Sequence, residues 1–132
     1  MTSNIIKSFS DKAYSYDSQS FVQKDVNKRL LSRLDLIMHT KRDILEIGSG
    51  TGNLSDELKK KYTKAKIVSL DLSHEMSKIH KSKNPNADCI TAAGESPPFK
   101  GESFDTILSS LTLHWCKVDL DLFSSYSNLL KP

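Results

Sequence analysis

The sequence has few cysteines, no long apolar segment and no strong excess of one charge. Its two cysteines, Cys89 and Cys116, form no C-x-x-C pair, so they predict no zinc site, and we expect two buried, reduced thiols. No apolar run reaches the roughly 18 residues of a membrane span. The N-terminus lacks the basic and apolar regions of a secretion signal. We therefore expect a cytoplasmic protein that does not contact a membrane.

The charges nearly balance, with 19 lysines and arginines against 16 acidic residues and a net charge of +3. The basic residues are scattered, apart from residues 59–61 and 78–83, and no aromatic residues interleave with these two clusters. No nucleic-acid partner is therefore expected, although a mildly basic surface suits an acidic partner. The four histidines are also scattered and predict no metal site. A length of 132 residues corresponds to one domain.

Apolar residues recur first at helical spacing and then in short runs separated by turn residues. The stripe from Val22 to Ile37 predicts a helix, and short apolar runs predict strands at residues 44–47, 67–70, 88–91 and 104–110. Helices are predicted over residues 53–62, from a cap at Ser73 to a break at residues 84–86, and over residues 120–131. This alternation predicts an α/β fold, a Rossmann-like parallel sheet with helices on both faces. We divide the chain into an N-terminal arm and helix, residues 1–40, and a cofactor-binding domain, residues 41–132.

A glycine-rich loop, residues 46–52, joins the first predicted strand to the next helix. Its sequence, EIGSGTG, lets the backbone turn sharply and approach a ligand closely at a helix N-terminus. The dinucleotide pattern G-x-G-x-x-G would require glycine where Asn53 stands, so a nicotinamide cofactor is disfavoured. Glu46, two residues before the first glycine, instead favours a ligand with positive charge.

The predicted carboxyl ends of four strands bring chemically useful residues to one edge of the sheet. These residues are Gly48, Asp71, Gly94 and Ser109. Ligands of parallel α/β sheets bind at this edge. Asp71, 19 residues after Gly52, can accept hydrogen bonds from ribose hydroxyls. The competing interpretation is that Asp71 caps the following helix, a role for which Ser73 also competes.

At these motifs the sequence resembles class I S-adenosylmethionine (SAM)-dependent methyltransferases. EIGSGTG is similar to their first motif, SLDLS to the second, AGESPPF to the third and FDTILSSLTLHW to the fourth. Within this class, FSDKAYSYD and Leu113-His114-Trp115 resemble the malonyl-[acyl-carrier protein] O-methyltransferases of biotin biosynthesis. Related mitochondrial complex I assembly factors share these phrases.

The resemblance implies SAM as the cofactor and assigns positions around it. Glu46, Gly48, Ser49, Gly50 and Gly52 would line the methionine end. Asp71 would bind the ribose, Leu72 and Met76 would flank the adenine, and Gly94 and Glu95 would lie at the adenine edge. Ser109 would lie near the transferable methyl, and Tyr14 would close over the cofactor. Ala93 departs from the family, which often has an acid at this place.

The implied reaction is O-methylation of the free carboxylate of malonyl-acyl-carrier protein. The expected partner is therefore an acyl-carrier protein or a small-molecule methyl acceptor, and the 132-residue chain alone is not expected to be active. An ionised carboxylate needs no general base, and the sequence offers no catalytic residue. The family continues for roughly another hundred residues, so we expect this chain to lack a fifth strand and the substrate cover. The open edge of the fourth strand would then allow pairing with another chain. The alternative function is a non-catalytic or assembly-factor-like remnant of the methyltransferase fold.

Overall fold

The computed structural model describes residues 21–37, 41–50, 52–94, 97–109 and 120–132. Four helices are present in this part of the chain: α1 (Phe21–Leu34), α2 (Asn53–Lys61), α3 (His74–Lys83) and α4 (Leu120–Leu129). Four strands accompany them: β1 (Asp43–Ile47), β2 (Lys66–Asp71), β3 (Asp88–Thr91) and β4 (Thr106–Ser109). Tyr14, Glu95 and Cys116 lie outside the described residues.

The four strands form one parallel sheet in the order β3-β2-β1-β4. The register pairs Ile47 with Leu70 on one side and with Ser109 on the other, so the strands end together. The strand order reverses next to β1, because β2 and β3 lie on one side of it and β4 on the other. Ligands of parallel α/β folds bind at such a reversal of strand order. The parallel sheet also confirms the predicted α/β fold.

Two apolar clusters cover the two faces of the sheet. On one face Ile44 packs with Leu54 and Leu58 of α2 and with Leu31 and Leu34 of α1. On the other face the cluster is formed by Leu45, Ile47, Leu70, Phe104 and Leu129. Alternate residues of β1 thus point to opposite faces, as expected of a strand that is buried on both sides. Helix α1 shares a core with the sheet. The division of the chain at residue 40 stays a prediction.

One helix boundary and the burial of one cysteine differ from what the sequence predicted. Helix α1 ends at Leu34, and Ile37 is 50% exposed, so the predicted stripe does not extend to Ile37. Cys89 is only partly buried, whereas a buried thiol was predicted, and its burial raises the thiol pKa to about 11.

The chain just before β4 is paired on its outer side, whereas the open outer edge of β4 itself stays a prediction. Helix α4 ends at Leu129, because Leu130 leaves it and forms a parallel bridge with Phe104. The Phe104 N–H donates to the Leu129 carbonyl (3.0 Å), and the Lys131 N–H donates to the Phe104 carbonyl (2.8 Å). In the described residues no helix is long and apolar enough to cross a membrane.

Candidate functional site

The glycine loop turns from β1 into α2 at the carboxyl edge of the sheet. Gly48, Gly50 and Gly52 have φ angles of 77°, 56° and 96°, in the left-handed region that glycine adopts at little cost. The N–H groups of Gly48 and Ser49 donate to the Leu70 carbonyl at 2.7 Å and 3.1 Å. The loop is therefore fixed to the end of β2 by its backbone.

Asp71 provides a second anchor for the loop. One carboxylate oxygen accepts the Gly50 N–H at 2.8 Å, and the other accepts the Ser73 N–H at 2.8 Å. Burial raises the pKa of the Asp71 carboxyl, although the N–H groups of Ser73, Gly50 and Leu72 oppose this rise. Ser73 is the N-cap of α3, and its hydroxyl accepts the Met76 N–H, so the predicted cap is confirmed.

Two serine hydroxyls at this edge are buried without a hydrogen-bond partner among the described residues. They belong to Ser49, in the loop, and Ser109, the last residue of β4. A buried hydroxyl that makes no hydrogen bond costs free energy, on the order of 1–3 kcal/mol. Both were predicted to contact a ligand, and a polar ligand at this edge would satisfy them.

Glu46 lies beneath the loop and is only 2% exposed. Its carboxyl accepts hydrogen bonds from Ser55 of α2 and from Ser69 of β2, and the two serine hydroxyls are 2.7 Å apart. Burial raises the Glu46 pKa to about 7, the serine hydrogen bonds oppose this, and the negative charges of Asp71 and Asp56 add to it. Close to neutral pH the carboxyl can therefore either hold or release a proton.

Gly52, the last glycine of the loop, packs against a histidine. It is the N-cap of α2, and a Cβ atom built on it would lie 2.2 Å from Cδ2 of His80. Any larger residue would therefore collide with the ring. The sequence predicted Gly52 as a ligand contact; in the structure its missing side chain also makes room for α3.

The residues that the sequence predicts at the adenine lie next to the same edge. The Gly94 carbonyl, after β3, accepts a hydrogen bond of 2.7 Å from the Tyr126 hydroxyl of α4. Leu72 is half-buried, whereas Met76 is only 3% exposed and belongs to the interior. The roles predicted for Glu95 and Tyr14 fall on residues that the structure does not describe.

The structure thus brings together the predicted loop, Asp71 and Ser109 and adds supporting residues that the sequence analysis missed. These are Ser55, Ser69, His80 and Tyr126. Ser69 lies two residues before Asp71 on the same strand, which could have indicated a polar partner for Glu46. For His80 and Tyr126 the sequence carries no such signal, because their contacts depend on how helices pack.

Comparison with known proteins identifies the class to which this fold and site belong. The family profile for the methyltransferase domain matches residues 45–132, which is most of the chain. The chain therefore belongs to the methyltransferase domain family.

Among curated proteins, a malonyl-[acyl-carrier protein] O-methyltransferase of Xylella fastidiosa is 33% identical over 136 residues, covering 99% of this chain and 46% of that protein. The chain spans about half the length of the first such relatives.

Solved structures show the same fold. Phosphoethanolamine N-methyltransferase 2 of Haemonchus contortus, in complex with phosphomonomethylethanolamine and S-adenosylhomocysteine, has a TM-score of 0.68 and 26% identity, over 80% of this chain and 26% of that one. A Haloferax volcanii methyltransferase solved with the Trm112 activator has a TM-score of 0.80 and 18% identity, over 94% of this chain and 56% of that one.

Proposed function

We propose that this chain binds SAM at the carboxyl edge of its sheet and belongs to an enzyme that methylates the free carboxylate of malonyl-acyl-carrier protein. The observation that carries the proposal is the loop of three left-handed glycines, anchored through Gly50 to the Asp71 carboxylate. The relatives named malonyl-[acyl-carrier protein] O-methyltransferase support the choice of acceptor. The Haemonchus contortus complex with S-adenosylhomocysteine supports the choice of cofactor.

The described residues provide a partner for each portion of SAM, from the methionine through the ribose to the adenine. The N–H groups of the loop and the Ser49 hydroxyl would face the methionine end, and Asp71 would accept from the ribose. Leu72 and Gly94 would border the adenine, with Met76 packed behind. The Ser109 hydroxyl, which has no partner among the described residues, would lie near the reacting centre. Tyr14 and Glu95 complete the proposed set.

Glu46 would act on the methionine end through its charge. Bound SAM supplies a methyl group that is already activated on a sulfonium cation. A nearby cation favours the ionised form of a carboxyl. Since the Glu46 pKa is about 7, SAM binding near neutral pH would draw a proton off Glu46.

Positioning and exclusion of water are what the protein must add. The acceptor carboxylate is ionised at neutral pH and attacks without a general base, which agrees with the absence of a predicted catalytic residue. Holding the acceptor in line with the activated methyl turns a bimolecular step into an effectively unimolecular one. The rigid anchoring of the loop to β2 serves this positioning.

Transfer of labelled methyl from SAM by the enzyme to which this chain belongs tests the proposal, because the chain spans about half the length of its first relatives and is not expected to be active alone. Malonyl-acyl-carrier protein should be labelled, while acetyl-acyl-carrier protein, which has no free carboxylate, should not. An Asp71→Ala variant, measured in parallel, should lose most of the transfer. Tight SAM binding without transfer to any acyl-carrier protein would favour the alternative, a non-catalytic relative of the fold.

A further inference from the structure

His80 is a buried histidine for which the proposed function has no use. It lies in α3, has 0% exposure, and neither ring nitrogen has a hydrogen-bond partner among the described residues. Buried polar atoms are nearly always paired, so such a residue calls for an explanation. His80 lines a cavity of about 330 Å³ together with Ser55 and Ser69, the two serines that donate to Glu46.

The ring also supports the glycine loop. Gly52 is so close to it that a Cβ would lie 2.2 Å from Cδ2, 2.6 Å from Nε2 and 2.7 Å from Cγ. The Gly52 N–H in turn donates to the Ser49 carbonyl at 3.1 Å, and its carbonyl accepts the Asp56 N–H at 3.0 Å. Gly52 therefore joins the loop to the first turn of α2, and the His80 ring is the surface on which that junction packs.

We propose that His80 is a positioning residue for the cofactor loop and that it holds Gly52 in place only while its ring is uncharged. The inference rests on the proposed function, because the loop is the part that would contact SAM. A proton on this ring would place a charge where neither ring nitrogen has a hydrogen-bond partner among the described residues, and the ring would have to move toward solvent to be hydrated. Movement of the ring removes the support under Gly52 and loosens the loop.

The charges around His80 agree with an uncharged ring. Burial lowers the His80 pKa; Asp56 on α2 opposes this, and Lys83 and Lys81 on α3 add to it. The charged residues that line the cavity itself are Lys59 of α2, Lys66 of β2 and Asp88 of β3. One acid at the start of α2 and another at the start of β3 thus face four lysines.

The pH dependence of SAM binding tests the role of His80. If only the neutral ring supports binding, affinity should fall roughly tenfold for each pH unit below the His80 pKa of the free protein. In His80→Phe a phenyl ring takes the place of the imidazole and cannot be charged. The SAM affinity of this variant at pH 8 should therefore stay within about threefold of the parent's, a difference of less than 1.4 kcal/mol. Below the His80 pKa, the slope of log SAM affinity against pH should then be smaller by one than in the parent, because one fewer proton is linked to binding. The comparison is repeated in a Glu46→Gln background, which removes the carboxyl that titrates near neutral pH.

A measurement on the unsubstituted protein keeps the proposal testable should His80→Phe fail to fold. Linkage is reciprocal, so SAM must lower the His80 pKa if a neutral ring favours SAM. Nuclear magnetic resonance of the ring should show this shift. Protection of the Gly50 and Gly52 amides from hydrogen exchange, expressed relative to the intrinsic exchange rate at each pH, should fall in acid without SAM.

The outcomes separate the two proposals. Absence of SAM binding at pH 8 would overturn the proposed function itself. Binding at pH 8 with an identical acid slope in parent and His80→Phe, or an unchanged His80 titration on adding SAM, would overturn only the role of His80.

Discussion

Asp71 anchors the loop through the same carboxylate oxygens that we propose accept from the ribose. Gly50 and Ser73 each donate a backbone N–H to it, and the N–H of Leu72 also interacts with it. A carboxylate has about four acceptor positions, so some capacity remains for a ribose hydroxyl. The residue that orders the loop is therefore also the one proposed to hold the sugar.

Replacing Asp71 with alanine removes both the loop anchor and the proposed ribose acceptor. SAM affinity should fall by about 1.5–3 kcal/mol, the scale of a hydrogen bond to a charged group. Isothermal titration calorimetry measures this loss. Asp25→Ala, which removes an exposed carboxylate paired with Arg29 on α1, is the matched control and should bind like the parent. Equal affinity in Asp71→Ala and the control would show that Asp71 does not hold the cofactor.

Glu46 makes the stability of the protein depend on pH in a defined direction. Its pKa in the folded protein, about 7, lies above the ordinary value of 4.5. Between these two values the folded state binds more protons than the unfolded state. The stabilisation by the protonated carboxyl is therefore complete below about pH 4.5 and is lost as pH rises through 7.

Glu46→Gln places a permanently neutral group in the same position and should remove this dependence. The unfolding free energy of the variant minus that of the parent should increase between pH 4 and pH 8 by on the order of 3 kcal/mol. Denaturant titrations at several pH values give this difference. Ser55→Ala removes a hydrogen-bond donor to the Glu46 carboxylate and should raise the Glu46 pKa further. The loss of stability of this variant should therefore extend to higher pH than that of the parent. A difference that stays flat with pH would show that folding does not raise the Glu46 pKa.

At the scale of elements, periodicity located the helices and strands well but not their ends. The four strands and the helices after β1, β2 and β4 lie where apolar runs and turn residues placed them. The helix α4 was predicted to continue to Lys131, yet it ends at Leu129, because pairing with Phe104 satisfies the Leu129 carbonyl and the Lys131 N–H. Such an ending depends on a contact between residues distant in sequence, which a local pattern does not contain.

Tyr126 is a second example of a contact made by packing, and it connects α4 to the proposed adenine side. Tyr126→Phe deletes only the hydroxyl that donates to the Gly94 carbonyl. Affinity for SAM and for S-adenosylhomocysteine should fall by about 0.5–1.5 kcal/mol, the usual worth of one hydrogen bond. Both ligands carry the adenosine, so both should weaken equally in a fluorescence or calorimetric titration.

The control for Tyr126→Phe is Tyr62→Phe, which removes a tyrosine hydroxyl that donates to Asp35, the residue that follows the end of α1. It should lower thermal stability without changing the affinity for either ligand. A Tyr126→Phe protein that binds both ligands like the parent would show that the Gly94 carbonyl needs no support from α4.

At the scale of the whole molecule, the sheet gathers residues that are far apart in sequence. Motif spacing predicted that the glycine loop, Asp71 and Ser109 would meet, since parallel strands end at one edge, and the structure places them there. The supports behind them could not be predicted. The contact of His80 with Gly52 requires the distance between α3 and the loop, and the Glu46 network requires knowing which face each serine of α2 and β2 occupies.

The central claim is that this edge of the sheet binds SAM, and a calorimetric titration tests it most directly. The chain should bind SAM and S-adenosylhomocysteine at one site per molecule and should not bind NAD. Gly50→Val should abolish both interactions while retaining the parent's circular dichroism spectrum, because its β-branched side chain disfavours the left-handed φ of 56° at that position. Absence of SAM binding by the folded parent, or undiminished binding by Gly50→Val, would contradict the account.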